Sequence, residues 1–188
     1  MQGIPIDDQS QFFVDDHLVA NRWGVEYLTE AVTRVFHAPT KHPANPVIAG
    51  KGGFLSVARE DGRFRMWYQD YWDQSMEPRK YTYGVAYAES EDGLDWHLPT
   101  IGRHEFTGTK DNNIVLLGPQ GGWAASPYML DVPEEYKRGY KYLLLYLSDE
   151  PESMRLIGSH DGIDWDPQSD TCIATGFAPD THSSIVWA

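Results

Sequence analysis

Runs in which apolar and polar positions alternate by twos recur along this chain, and they predict short strands rather than helices. Phe54-Leu-Ser-Val-Ala-Arg-Glu and Arg63-Phe-Arg-Met-Trp-Tyr-Gln flank Asp61-Gly62, a pair suited to the positive φ of a tight hairpin turn. After the loop Asp70-Tyr-Trp-Asp-Gln-Ser-Met-Glu-Pro, residues 81–88 give a third strand. A polar connection over residues 100–113 leads to Ile114-Val-Leu-Leu. The order then repeats: Pro127-Tyr-Met-Leu-Asp-Val, a longer hairpin loop over 133–139, Tyr140-Lys-Tyr-Leu-Leu-Leu-Tyr-Leu, and the loop Asp149-Glu-Pro-Glu-Ser. Upstream, residues 10–20 read as an apolar strand interrupted by Asp15-Asp16, whose side chains point to opposite faces. Residues 25–34 read as a second short strand or helix turn. In His42-Pro43-Ala44-Asn45-Pro46 two prolines rule out helix and leave extended or turn geometry.

One signature occurs twice. Ser90-Glu91-Asp92-Gly93-Leu94-Asp95-Trp96 returns as Ser159-His160-Asp161-Gly162-Ile163-Asp164-Trp165, 69 residues on from Ser90 to Ser159. Each copy follows a β-prone run. A fixed offset with one turn signature per unit marks a repeat architecture. Within each copy the Asp carboxylate and Ser hydroxyl accept backbone N–H groups of their own turn, and the Trp buries apolar area on the sheet. The motif therefore reads as a clasp between two strands, and Asp92 and Asp161 as structural. The predicted fold is all-β: a β-propeller of four-stranded antiparallel blades. Blade 1 covers about 54–99, blade 2 about 114–170, and a third blade begins at about 177–188. That is about two and a half blades in one partial five-bladed domain.

Composition narrows the picture. At 188 residues the chain fits one domain with a real core, and its 7 Trp and 11 Tyr suit sheets and binding surfaces. No uninterrupted apolar window is long enough for a transmembrane helix, and residues 1–8 show no signal-peptide pattern. The compartment stays open. A formal charge of −13 argues against nucleic acid and anionic membrane as partners. Cys172 is the sole cysteine, which excludes an intrachain disulfide and a Cys-based metal cluster. His42, His104, His160 and His182 lack metal-ligand spacing. Neither a metal nor another cofactor is expected.

Taken together, the Ser-x-Asp-Gly-x-x-Trp clasps, Phe12-Phe-Val-Asp-Asp-His-Leu, Lys41-His-Pro-Ala-Asn-Pro-Val, Lys110-Asp-Asn-Asn-Ile-Val and Asp180-Thr-His-Ser-Ser-Ile resemble the five-bladed β-propeller glycosidases. The resemblance is to the β-fructosidase and arabinanase/β-xylosidase group, glycoside hydrolase families 32 and 43, and more closely to a bacterial glycosidase-like group. It implies three inward carboxylates at the starts of the innermost strands of the first three blades. The match is incomplete: the Asn-Asp-Pro opening of the β-fructosidases and an Arg-Asp-Pro triplet are both absent.

In a propeller the loops from strand two to three and from blade to blade share one face, which is the candidate site. Asp180 is the first candidate catalytic carboxylate, with His182 beside it to hold or tune it; Asp16 and Asp70 compete for the second place. His42, Asn45, Trp72 and Trp123 are the candidate substrate-binding residues, since sugars need rings for their C–H faces and polar groups for their hydroxyls. His42 and Asn45 also read as a rigid surface turn. The expected function is a glycoside hydrolase-like propeller acting on or binding a polysaccharide or oligosaccharide. The alternatives are a non-catalytic carbohydrate-binding propeller and an inactive fragment of a larger glycosidase. A carbohydrate is the expected ligand, and open blade edges predict pairing into a homodimer.

Overall fold

The computed structural model of the chain describes residues 38–49, 52–73, 81–149 and 151–176. The chain divides into two compact units, Met1–His42 and Pro43–Ala188. The predicted strands over 10–20 and 25–34 and the start of a third blade at 177–188 lie outside the described residues.

The second unit is all-β. Strands β1 (Gly53–Glu60), β2 (Arg63–Asp73), β3 (Tyr81–Ser90) and β4 (Trp96–His97) form one antiparallel sheet in that order, joined by β5 (Ile114–Leu116). A second sheet holds β6 (Ala125–Met129), β7 (Tyr142–Asp149), β8 (Glu152–Ser159) and β9 (Trp165–Thr175), again in chain order and antiparallel. These are two blades, of five and four strands, with β1 and β6 the first strand of each.

One boundary differs from the sequence reading. Ile114–Leu116 does not open blade 2; it pairs with β3 of blade 1, Val85 opposite Leu116 and Ala86 opposite Ile114. The reason is geometric. β4 covers only Glu89 and Ser90 of the ten-residue β3, which leaves the rest of that edge unpaired. The chain makes an excursion over 98–113 and returns to fill it. Asn112 and Asn113 pin the return: Asn112 Nδ2 donates to the carbonyls of His104 (2.9 Å) and Thr109 (2.8 Å). Asn113 Nδ2 donates to the Tyr87 carbonyl (2.8 Å) and to Tyr68 Oη (2.9 Å).

Alternation along β2 sends its two faces to different places. Trp67, with Val85 and Tyr87 of β3, packs against Tyr142, Leu144 and Tyr146 of β7, and this cluster is the seam between the blades. Met66 and Tyr68 face the other way, packing with Ala86, Ala88, Phe106 and Ile114.

Both repeated turns are wired alike. In the first, Ser90 Oγ accepts from Gly93 N–H (2.9 Å), while Asp92 Oδ1 accepts from Leu94 (2.8 Å) and Asp95 (2.9 Å). In the second, Ser159 Oγ accepts from Gly162 N–H (2.8 Å), and Asp161 Oδ1 from Ile163 (2.8 Å) and Asp164 (2.7 Å). The glycines sit at φ 78° and 80°, where an L side chain is strained. The tryptophans differ. Trp96 Nε1 donates to Gly93 O at 3.0 Å, within its own turn. The equivalent carbonyl, Gly162 O, is taken by Trp67 Nε1 of blade 1 at 2.6 Å. Trp165 Nε1 is accordingly sealed in the core without a partner among the described residues.

Candidate functional site

The seam ends, away from these turns, where β2 leads toward β3 and β7 toward β8. Here the link into blade 2 makes a tight turn: Gly118 N–H donates to Gly122 O at 2.9 Å. A Cβ on Gly118 would lie 2.0 Å from the Trp123 carbonyl, so the turn tolerates no side chain there. It delivers Trp123, half-buried, with its ring edge-on to Tyr83 at a centroid distance of 4.7 Å and an interplanar angle of 82°. Such an edge-to-face pair fixes the indole in one orientation. The Trp123 backbone N–H donates to Asp149 Oδ1 at 2.9 Å. A half-buried carboxylate at the end of β7 is thereby held beside a fixed aromatic ring.

Below this platform the innermost strand of blade 2 begins irregularly. Ala125 pairs with Leu147 and Tyr128 with Leu145, so an extra residue bulges between them. Ser126 lies in the bulge at φ 51°, and its N–H donates to Gln69 Oε1 of blade 1 at 2.8 Å. Ser56 Oγ links the two innermost strands, donating to Pro127 O (3.3 Å) and accepting from Met129 N–H (2.9 Å).

The expected site residues do not all come together. Asp70 shares the face of β2 that carries Met66 and Tyr68, opposite to the Gln69 face that meets blade 2. Burial raises the Tyr68 phenol above its ordinary value, and the charge of Asp70 adds to that rise. Asn45 lies on the same side, where it and Tyr68 help line a cavity of about 240 Å³ that also takes in Gly52, Gly53 and Met66. Asp70 and Asn45 therefore go with Tyr68, and Trp123 goes with Asp149. Trp72 lies on β2 opposite Thr82. His42 is exposed and ends the first unit. Asp16, Asp180 and His182 lie outside the described residues.

The carboxylates implied at innermost-strand starts are absent from both described blades. β1 opens Gly53-Phe54-Leu55 and β6 opens Ala125-Ser126-Pro127. A Ser occupies the buried, strained position instead. Tyr83, Gln69 and Ser126 are not among the site residues expected from the sequence. Gln69 had a signal, a polar residue in the inward phase of an apolar strand; Ser126 had none, because its left-handed backbone is set by the bulge.

No metal-binding group of three or more His, Cys, Asp or Glu side chains occurs among the described residues. No described helix is long and apolar enough to cross a membrane.

No protein-family model matches the chain, and no curated protein matches it. Solved structures do. One is a candidate glycoside hydrolase from Bacteroides ovatus, 19% identical over 70% of this chain and 40% of that one, at a TM-score of 0.48. A second is a candidate glycoside hydrolase from Parabacteroides distasonis, 20% identical over 70% of this chain and 40% of that one, at 0.46. A third belongs to a study of the GH130 family of mannoside phosphorylases, which contains glycoside hydrolases that target β-1,2 mannosidic linkages in Candida mannan. It is 19% identical over 67% of this chain and 39% of that one, at 0.45. The chain spans about 40% of the length of these three proteins.

Proposed function

We propose that this chain binds a saccharide at the Trp123–Asp149 platform, as part of a glycosidase-type propeller of five blades. The observation that carries the reading is the clamped pair: an indole held edge-on by Tyr83 beside a carboxylate fixed by the Trp123 N–H. An aromatic face takes the C–H side of a sugar ring while a carboxylate accepts its hydroxyls. Hydrolysis needs two carboxyls, roughly 5–5.5 Å apart for retention and about 6.5–9.5 Å for inversion. In the hydrolytic form of this proposal Asp180 is the first catalytic carboxyl, and Asp149 contacts the ligand.

A non-catalytic binding propeller is the second reading. It is favoured by Ser126, which stands at the start of an innermost strand where the resembled family carries a carboxylate. The test is calorimetric titration of the chain with xylobiose, arabinobiose and β-1,2-mannobiose, with analysis for released monosaccharide. The third probe is chosen from the linkage named for the GH130 relative. Binding with release supports the hydrolytic form and binding without release the second reading. No heat with any of the three sinks both.

A further inference from the structure

The seam beneath Trp123 carries more hydrogen-bonding capacity than the protein uses. Ser126 is 4% exposed, Gln69 9% and Ser148 2%. Ser126 N–H donates to Gln69 Oε1, a bond that uses neither the Gln69 amide NH₂ nor the serine hydroxyls. Ser148 Oγ is sealed and without a partner among the described residues. Ser126 and Ser148 lie one residue to either side of the Ala125–Leu147 rung, and Gln69 reaches Ser126 from the neighbouring blade. Buried polar groups are nearly always paired, and an unsatisfied group costs about 1–3 kcal/mol. Ser148 Oγ is such a group in this seam.

The backbone makes the same point independently. Ser126 sits at φ 51°, a conformation that costs a non-glycine residue about 1–2 kcal/mol. It also lies in a β-bulge, a device that re-aims a side chain. Gln69 braces this geometry from the neighbouring blade. Strain held in place by a second element is a common property of ligand clamps.

We propose that Ser126 and Gln69 form a hydroxyl-binding subsite beneath Trp123, in which Ser126 Oγ and the Gln69 carboxamide hydrogen-bond a hydroxyl of the bound saccharide. The proposal rests on the saccharide reading above and names the polar contacts that the aromatic platform lacks. Ser126 acts in binding and orientation; the subsite brings no acid or base.

The test uses Ser126→Ala and Ser126→Gly in the full chain, titrated with the same three disaccharides beside the wild type, with the thermal midpoint of each recorded. Ser126→Ala keeps the strain and removes the hydroxyl; Ser126→Gly removes both. Both variants are expected to bind roughly fivefold to tenfold more weakly, the worth of one neutral hydrogen bond. Ser126→Gly is expected to melt no lower than the wild type, because glycine adopts positive φ without strain. If the wild type binds a disaccharide and both variants bind it equally well, the subsite holds water only and the proposal is overturned. If the wild type binds none of the three, the saccharide reading falls and this inference falls with it.

Discussion

The two ends of the blade seam differ in how their polar groups are connected. At the turn end the polar side chains form a linked network across the blades, with Trp165 Nε1 left without a partner among the described residues. Arg65 Nη1 donates to Tyr142 Oη (3.1 Å) and to the Asp161 carbonyl (2.8 Å). Tyr142 Oη donates to Glu60, which also takes Lys141 Nζ at 3.0 Å, and Trp67 Nε1 closes on Gly162 O. At the other end a strained serine, a braced glutamine and an orphaned hydroxyl lie under a half-buried tryptophan. A satisfied polar network rigidifies an interface, whereas a partly satisfied one is poorly suited to that task. On the proposed reading, stability belongs to the turn end and recognition to the head end. Substitutions should respect that division.

The largest effect is expected at Gly162. A Cβ there would sit 2.6 Å from the Trp67 ring, on a residue at φ 80°. Backbone strain of about 1–2 kcal/mol and overpacking of about 1–3 kcal/mol act together. Gly162→Ala should therefore cost about 3 kcal/mol or more in denaturant unfolding. At Gly93, with nearly the same φ, the nearest atom lies 3.6 Å away, so Gly93→Ala should cost only the strain, about 1–2 kcal/mol. Equal losses at the two glycines would show that the second turn does not lock the blades.

The carboxylates of the two turns should register in acid. Burial pushes Asp161 upward, but N–H groups of Asp164 and Ile163, the Ser159 hydroxyl and the Arg103 charge outweigh it, and its carboxyl titrates below the ordinary 3.8. Asp92, fully exposed, is lowered chiefly by the N–H groups of Asp95 and then Leu94. A depressed folded-state value means stability that is present above the ordinary carboxylate pKa and lost as pH falls through the folded value. Asp161→Asn should flatten the fall of the thermal midpoint below about pH 4. An unchanged slope would contradict this reading of the turn.

The smallest effect belongs to the ion pair between Arg103 and Asp164, whose side chains are about half exposed. Arg103→Ala should cost no more than about 1 kcal/mol, less in high salt. A larger, salt-independent loss would mean that the excursion over 98–113 contributes to the seam beyond this pair.

The described strands and both turns could be read from alternation and from Ser-x-Asp-Gly-x-Asp-Trp, because those signals are local. The split outer strand could not. Ile114–Leu116 looks like the start of a new unit until β4 is seen to stop after two residues. The motifs were alike in sequence, yet only one is clasped by Trp67, a contact made across 95 residues. At the site, alternation along β2 decides the matter. Asp70 and Gln69 are neighbours in sequence but face different surroundings, so a list of loop carboxylates and rings joined groups that the sheet keeps apart.

The central claim is that the head of the seam recognises a saccharide while the turn end holds the blades together. Titration of Trp123→Ala with the disaccharides that bind the wild type tests it most directly, at a temperature where the variant is folded. The account predicts loss of measurable binding with a native unfolding transition retained. Wild-type affinity in that folded variant would contradict it.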